Sequence, residues 1–387
     1  MAADETILVL GGTGVFGRLI VADLLTHTPY AVAIAARRGI RAHGWLPGSE
    51  GRVTSLRLDA RDERAIRAGI TRTGARVLIH AAGPYALIGE APLRAALACR
   101  LPYVDMCPRS DLYAELRARY HERARAAGVP CLLGASTAGG LTGLLTRYAR
   151  RRMARIERVR AALCVHNFAW GAGVVADYLL SARRVLPAGQ VGTHPERVVF
   201  PTIGARTVWL ADTLDYAEDA PEPVADVAYR VGLPDPLPAL GFQVSAALAR
   251  RGVPMWRLAG VFGVLAGVLG GAYTEGGLLH QAFGEGPEGR GTFETHIYRP
   301  YGNVRNPSLL CALAAPRLLR GELKGAGFLH PAAWLDPEEL LAAMRARAVV
   351  VRSRFRPEGA PADLPWREEA PVGWAAPDVA DSRGEMA

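Results

Sequence analysis

From residue 6 to about residue 135 the chain alternates short apolar, β-rich runs with stretches whose apolar positions recur every three to four residues. The runs ILVL, AVAIAA, RVTSLRL, RVLIHAA, PYVDM and VPCLLG read as six strands. Between them, FGRLIVADLLTH, the segments opening at Asp62 and near Ala86, and DLYAELRARYHERARAAG read as helices. Such alternation predicts an α/β domain, a doubly wound parallel sheet of Rossmann type that binds ligands at the carboxyl ends of its strands. After GASTAGGLTGLLTRYARRR the alternation lapses. Further β-like runs follow around RVRAALCVHN, RVVFPTIGARTVWLAD, VADVAYRVG and GTFETHIYRP without a regular helix between each pair, so a second, α+β domain is expected. Residues 1–138 are assigned to the first domain and 139–355 to the second, whose later helices pack back on the first. Residues 356–387, rich in proline and charge and without a period, read as a mobile tail.

Half of the 387 residues are apolar, enough for two cores. The net charge of +9 is carried almost entirely by arginine, because Lys324 is the only lysine. That bears on two chemistries. A YxxxK pair, in which lysine lowers the pKa of a tyrosine, is impossible, since Arg320 and not tyrosine stands four residues before Lys324. The same scarcity argues against Schiff-base catalysis by a lysine. The five cysteines are widely spaced without a CxxC and read as reduced thiols of a cytoplasmic protein. The nine histidines form no HxxxH, HxH or Cys/His cluster, so no metal is expected, although His80 ends a strand. Nucleic-acid binding lacks any basic-aromatic motif, and the first ten residues do not have the order of a secretory signal.

The sharpest motif is LVLGGTGVFG, residues 8–17. Gly12, Gly14 and Gly17 form GxGxxG directly after one strand and at the start of a helix, while Gly11, Gly14 and Gly17 give the related GxxGxxG spacing. With Thr13, Val15 and Phe16 they make a turn whose backbone amides approach a diphosphate at a helix N-terminus. At the end of the second strand, where an acid takes the ribose hydroxyls of NAD, this chain has Ala36 followed by Arg37 and Arg38. A guanidinium there suits the 2′-phosphate, so NADP(H) is the expected cofactor. Asp59 falls along the adenine edge or caps the next helix. The loops at residues 80–89, with Ala81, Ala82 and Gly83, at 102–108 and at 132–141 all follow strands and open onto the same crevice.

LVLGGTGVFG, VLIHAAGPYALIGEAPLRAAL, LPYVDM, CLLGASTAGGLTGLL and the later GEGPEGRGTFETHIY together resemble the saccharopine-dehydrogenase-like NADP-binding family, including its saccharopine reductase and trans-acting enoyl reductase branches. The likeness is good over residues 6–150 and faint afterwards. It implies a Rossmann domain carrying an α+β domain that covers the nicotinamide and often dimerises, and hydride transfer from NADPH to a C=N or activated C=C bond of a small molecule. On that likeness Tyr85 donates a proton or orients substrate, Asp105 pairs with a developing iminium, and Cys107 lies among polar groups near the nicotinamide. Ser136 or Thr137 binds the substrate's polar end. The residues by themselves equally allow Tyr85 in packing, Asp105 in a loop hydrogen bond and Cys107 in the core. They also serve a non-catalytic NADP-binding regulatory or lipid-associated protein of the same fold, because the fingerprint implies binding and not turnover.

Two features lie outside this scheme. LAGVFGVLAGVLGGAY, residues 258–273, carries no charge and is short for a bilayer crossing; it reads first as a buried or dimer-forming helix and second as a peripheral membrane element. The arginines of TRYARRRMARIERVR suit a solvated helix terminus or an anionic group.

Overall fold

The computed structural model describes residues 5–37, 51–107, 109–164, 171–221, 223–262, 264, 277–298, 306–323, 325–361 and 364–368. The first sheet contains β1 (Thr6–Leu10), β2 (Ala31–Ala36), β3 (Val53–Arg57), β4 (Ala75–His80), β5 (Tyr103–Asp105) and β6 (Pro130–Leu132). Its crossovers are α1 (Val15–His27), α2 (Glu63–Thr73), the short α3 (Tyr85–Ile88) with α4 (Ala91–Ala98), and α5 (Ser110–Ala126). Every strand pair is parallel, in the order β6-β5-β4-β1-β2-β3. A parallel sheet is covered on both faces, and the strand side chains divide accordingly. Ile7, Val9, Val32, Ile34, Val77 and Ile79 enter one core with α1, while Leu8, Leu10, Ala33, Ala35 and Leu78 enter the other with α2 and α4. The segment opening at Asp62 becomes α2 because the Asp62 carboxylate accepts from the Ala65 amide at 3.0 Å, satisfying one orphan donor of the first turn.

After α6 (Thr142–Arg150) the second sheet begins with β7 (Arg155–Cys164). Helix α7 (Ala172–Ser181) and a small hairpin of β8 (Val185–Leu186) and β9 (Gly189–Gln190) precede β10 (Glu196–Phe200), β11 (Gly204–Ala211) and β12 (Asp226–Gly232). Then come α8 (Pro236–Arg250), β13 (Gly277–Gly286) and β14 (Gly289–Tyr298). The helix Asn306–Leu319 packs against α1, and β15 (Gly327–Phe328) adds a seventh parallel strand to the first sheet beside β6. The six strands expected for that sheet thus become seven, because a two-residue strand is too short to show a period. After the helix Pro337–Arg345, β16 (Val350–Pro357) and β17 (Arg367–Glu368) close the second sheet, whose order is β10-β11-β12-β7-β13-β14-β16-β17. Only β12 and β7 run parallel in it. Residues 369–387 lie outside the described residues.

Candidate active site

The glycine turn shows why these positions are bare. Gly11 has φ +74°, and a Cβ on it would stand 2.6 Å from the backbone of Ala82, in the loop after β4. A Cβ on Gly17 would meet the Gly11 carbonyl oxygen at 2.1 Å, so its absence lets α1 pack down on β1. Gly14 caps α1 with no side-chain hydrogen bond and no acid in the first turn, leaving the helix N-terminus open toward a cavity of about 590 Å³. Helix α7 begins in the same way at Gly171, also without a side-chain cap, and its first residues line the same cavity. Two uncapped helix N-termini therefore converge there, and both favour an anion. Of the predicted turn residues, Gly11, Thr13, Gly14, Val15 and Phe16 line the cavity, as do Ala81, Ala82 and Gly83, while Gly12 and Gly17 act in packing behind it.

Arg37, Asp59 and Arg61 stand at one end of the cavity. The Arg61 guanidinium grips Asp59 through Nε at 3.1 Å and Nη2 at 2.6 Å, and with Arg37 nearby it holds that carboxyl down at about 2. Arg37 has no ion-pair partner among the described residues. Arg38 lies outside the described residues. Arg61 is a member of this end that the sequence reading missed; the signal was an arginine two residues after the acid.

The other end is lined by Ser136 and Thr137 from the loop after β6, by Asp177 and Tyr178 from α7, and by Tyr229 from β12. Burial pushes the Tyr229 phenol far up, so it is neutral throughout the physiological range. Its hydroxyl has no hydrogen-bond partner among the described residues, and neither has that of Thr137. The charged groups here are all committed. Asp177 accepts from the amides of Tyr85 at 2.9 Å and Ala86 at 3.3 Å, tying the second domain to the loop after β4. Burial raises its pKa to about 6 against those two bonds and the pull of Arg109. Arg109 pairs with Asp111 at 2.7 Å, and Arg184 pairs with Asp212 and with Asp111 at 3.1 Å.

The structure corrects the roles expected for three residues. Tyr85 lines the cavity, but its hydroxyl donates to the His80 carbonyl at 2.7 Å and accepts from the Met106 amide at 3.1 Å, so this phenol braces two loops. Asp105 does not face the cavity. One of its oxygens accepts from the amides of Gly134 at 2.7 Å and Cys107 at 3.0 Å, and the other from the Tyr103 hydroxyl at 3.1 Å. The Cys107 thiol is buried behind the wall and held protonated by burial. His80, at the end of β4, is buried against Tyr85 with ring centroids 4.7 Å apart, and burial lowers its pKa to about 3. Three arginines in and after α6 are turned to structure: Arg147 donates to the carbonyls of Ala332 and Leu335, and Arg152 and Arg160 pair with Glu338 and Asp226. Among the described residues no group of three His, Cys, Asp or Glu is placed to hold a metal ion.

Burial raises the Asp105 pKa to about 6, against the hydrogen bonds from Gly134, Cys107 and Tyr103. The folded protein then holds this proton more tightly than the unfolded chain, whose aspartate titrates near 3.9. Stability from this group is full below about pH 4 and is lost as pH rises to about 6. Asp105→Asn keeps the acceptor and removes the titration. The expected result in urea denaturation is a gain over the parent of about 3 kcal/mol between pH 4 and pH 7, with turnover unchanged.

The strand–turn–helix, the open helix ends and the covered crevice define a dinucleotide-binding Rossmann domain with a second domain as its lid. Residues 7–98 match the model of the NAD dependent epimerase/dehydratase family. Across both domains the fold is that of saccharopine dehydrogenase (L-Glu forming) from Saccharomyces cerevisiae, with a TM-score of 0.62 at 15% identity over 91% of this chain and 100% of that one. A mutant meso-dapdh from Clostridium tetani matches at 13% identity and TM-score 0.45, over 87% and 98% of the two chains. A short-chain dehydrogenase/reductase from Veillonella parvula in complex with NADP matches at 18% identity and TM-score 0.23, over 29% and 50%. A search of the curated proteins finds no match.

Proposed function

We propose that the protein is an NADPH-dependent oxidoreductase that reduces an activated, uncharged C=C or C=N bond. The observation that carries this reading is a single cavity with open helix N-termini and a free arginine toward one end, and unpartnered hydroxyls beside arginines already held in ion pairs at the other. The residues fit a dinucleotide: the amides of the Gly11–Phe16 turn and of the start of α7 suit the diphosphate, and Arg37 with the outer face of Arg61 suits a 2′-phosphate. When bound, the nicotinamide supplies the hydride. The protein's part is to place the acceptor, exclude water beneath the second domain and steady the charge that develops. Tyr229 suits the last task, because a neutral phenol donates a hydrogen bond where a carboxylate would repel. The pairing of Arg109 with Asp111 and of Arg184 with Asp212 disfavours a substrate carboxylate, since a buried carboxylate there would find no free counter-charge.

Cofactor choice is tested by nicotinamide fluorescence on titration with NADPH and with NADH. Each charge-assisted bond from an arginine to the 2′-phosphate contributes about 1.5–3 kcal/mol. Arg37→Ala is therefore expected to weaken NADPH by roughly ten- to a hundredfold and leave NADH nearly unchanged. Equal weakening of both cofactors would place Arg37 on a part they share, and weakening of neither would assign it to solvent; either result removes the case for NADP.

A further inference from the structure

Seven of the chain's large apolar side chains, Leu237, Leu240 and Val244 on α8 and then Val253, Leu258, Val261 and Val264, are between 43% and 67% exposed. The first three recur at helical spacing on the outer face of α8, and Trp256 lies half-buried among the others. Soluble surfaces rarely leave so much apolar area together without a partner. The charge pattern says which partner. From residue 236 to residue 274 the sequence contains no aspartate or glutamate and three arginines. Arg250 turns inward onto the carbonyl of Gly192 at 3.2 Å, whereas Arg251 and Arg257 are exposed and make no ion pair among the described residues. A second copy of this chain meeting the face about a two-fold axis would set these arginines against themselves with no acid to answer them. A surface of anionic lipid headgroups over an apolar interior answers both features.

We infer that the outer face of α8 together with Val253, Leu258, Val261 and Val264 docks on an anionic membrane surface, with the apolar side chains at the acyl boundary and Arg251 and Arg257 among the headgroups. Among the described residues no helix is long and apolar enough to cross a membrane. Beneath the docked face Phe242 packs on Tyr178 with ring centroids 4.6 Å apart, and Tyr178 lines the cavity. The cavity wall then stands one aromatic layer from the lipid. This inference is independent of which cofactor the cavity takes.

The test is flotation of the full-length protein with phosphatidylcholine vesicles, with and without phosphatidylglycerol, alongside sedimentation velocity without vesicles. Flotation with the anionic vesicles and little with the neutral ones is expected. Leu240→Glu with Val244→Glu, both on the outer face, abolishes flotation with the melting transition unchanged. Arg251→Ala with Arg257→Ala leaves the fold alone and lowers partitioning by roughly thirtyfold, about fivefold per arginine. Absence of flotation with either vesicle, flotation indifferent to both double variants, or a dimer dispersed by Leu240→Glu without any flotation would overturn the inference, the last assigning the face to a second copy.

Discussion

Tyr229→Phe is expected to lower kcat by a factor of about 10² to 10³ while leaving NADPH affinity unchanged, the size expected when a fixed hydrogen-bond donor to developing negative charge is removed. The phenol lies on β12, lines the cavity, and spends its hydroxyl on no described neighbour. Tyr85→Phe is the informative contrast. Its hydroxyl is already donor to His80 and acceptor from Met106, so the variant leaves a buried amide unpaired and costs about 1–3 kcal/mol of stability. The assay is NADPH oxidation with the first acceptor found in a panel of unsaturated carbonyl and imine compounds, read beside thermal melting for both variants. A turnover loss in Tyr85→Phe at unchanged stability, with Tyr229→Phe fully active, would reverse the two roles.

Gly11→Ala is expected to weaken dinucleotide binding about a hundredfold. The methyl would sit 2.6 Å from the Ala82 backbone, at a residue whose φ of +74° side chains rarely adopt. The turn can relieve that contact only by moving the loop after β4 or the start of α1, and a displacement near 1 Å at such a site costs about a hundredfold. Gly51→Ala separates strain from crowding. Gly51 has φ +81° with nothing within 4 Å of a Cβ, so that variant costs about 1 kcal/mol of stability and leaves binding intact. Titration of NADPH fluorescence against both variants makes the comparison.

The parts of the fold legible in the sequence are those whose cause is local. The strands of the first domain announced themselves as apolar runs closed by glycine and helical stretches, and the turn at residues 8–17 carried its own geometry. The site divided along the same line. Loops after β4, β5 and β6 were placed at the crevice because a parallel sheet sends them there. Which way a side chain leaves such a loop is decided by distant partners. Asp105 turns away because Gly134 and Tyr103 wait behind it, and Tyr85 is held by Met106, contacts that no local pattern encodes. Tyr229 was invisible for a related reason. It reaches the cavity only because β12 pairs in parallel with β7, setting Tyr229 opposite Ala161. Arg61 was hidden by a residue that was seen, since Asp59 drew attention to the adenine edge and not to its own counter-ion. The edge strands β15 and β17, with two residues each, carry no periodicity to detect.

The claim on which the rest depends is that the crevice holds a nicotinamide dinucleotide phosphate. Isothermal titration calorimetry of the full-length protein with NADPH and then NADH measures this without any knowledge of the substrate. One site per chain, with NADPH bound more tightly than NADH, is the predicted result. No heat with either compound, at protein concentrations where the fold is intact, would contradict it.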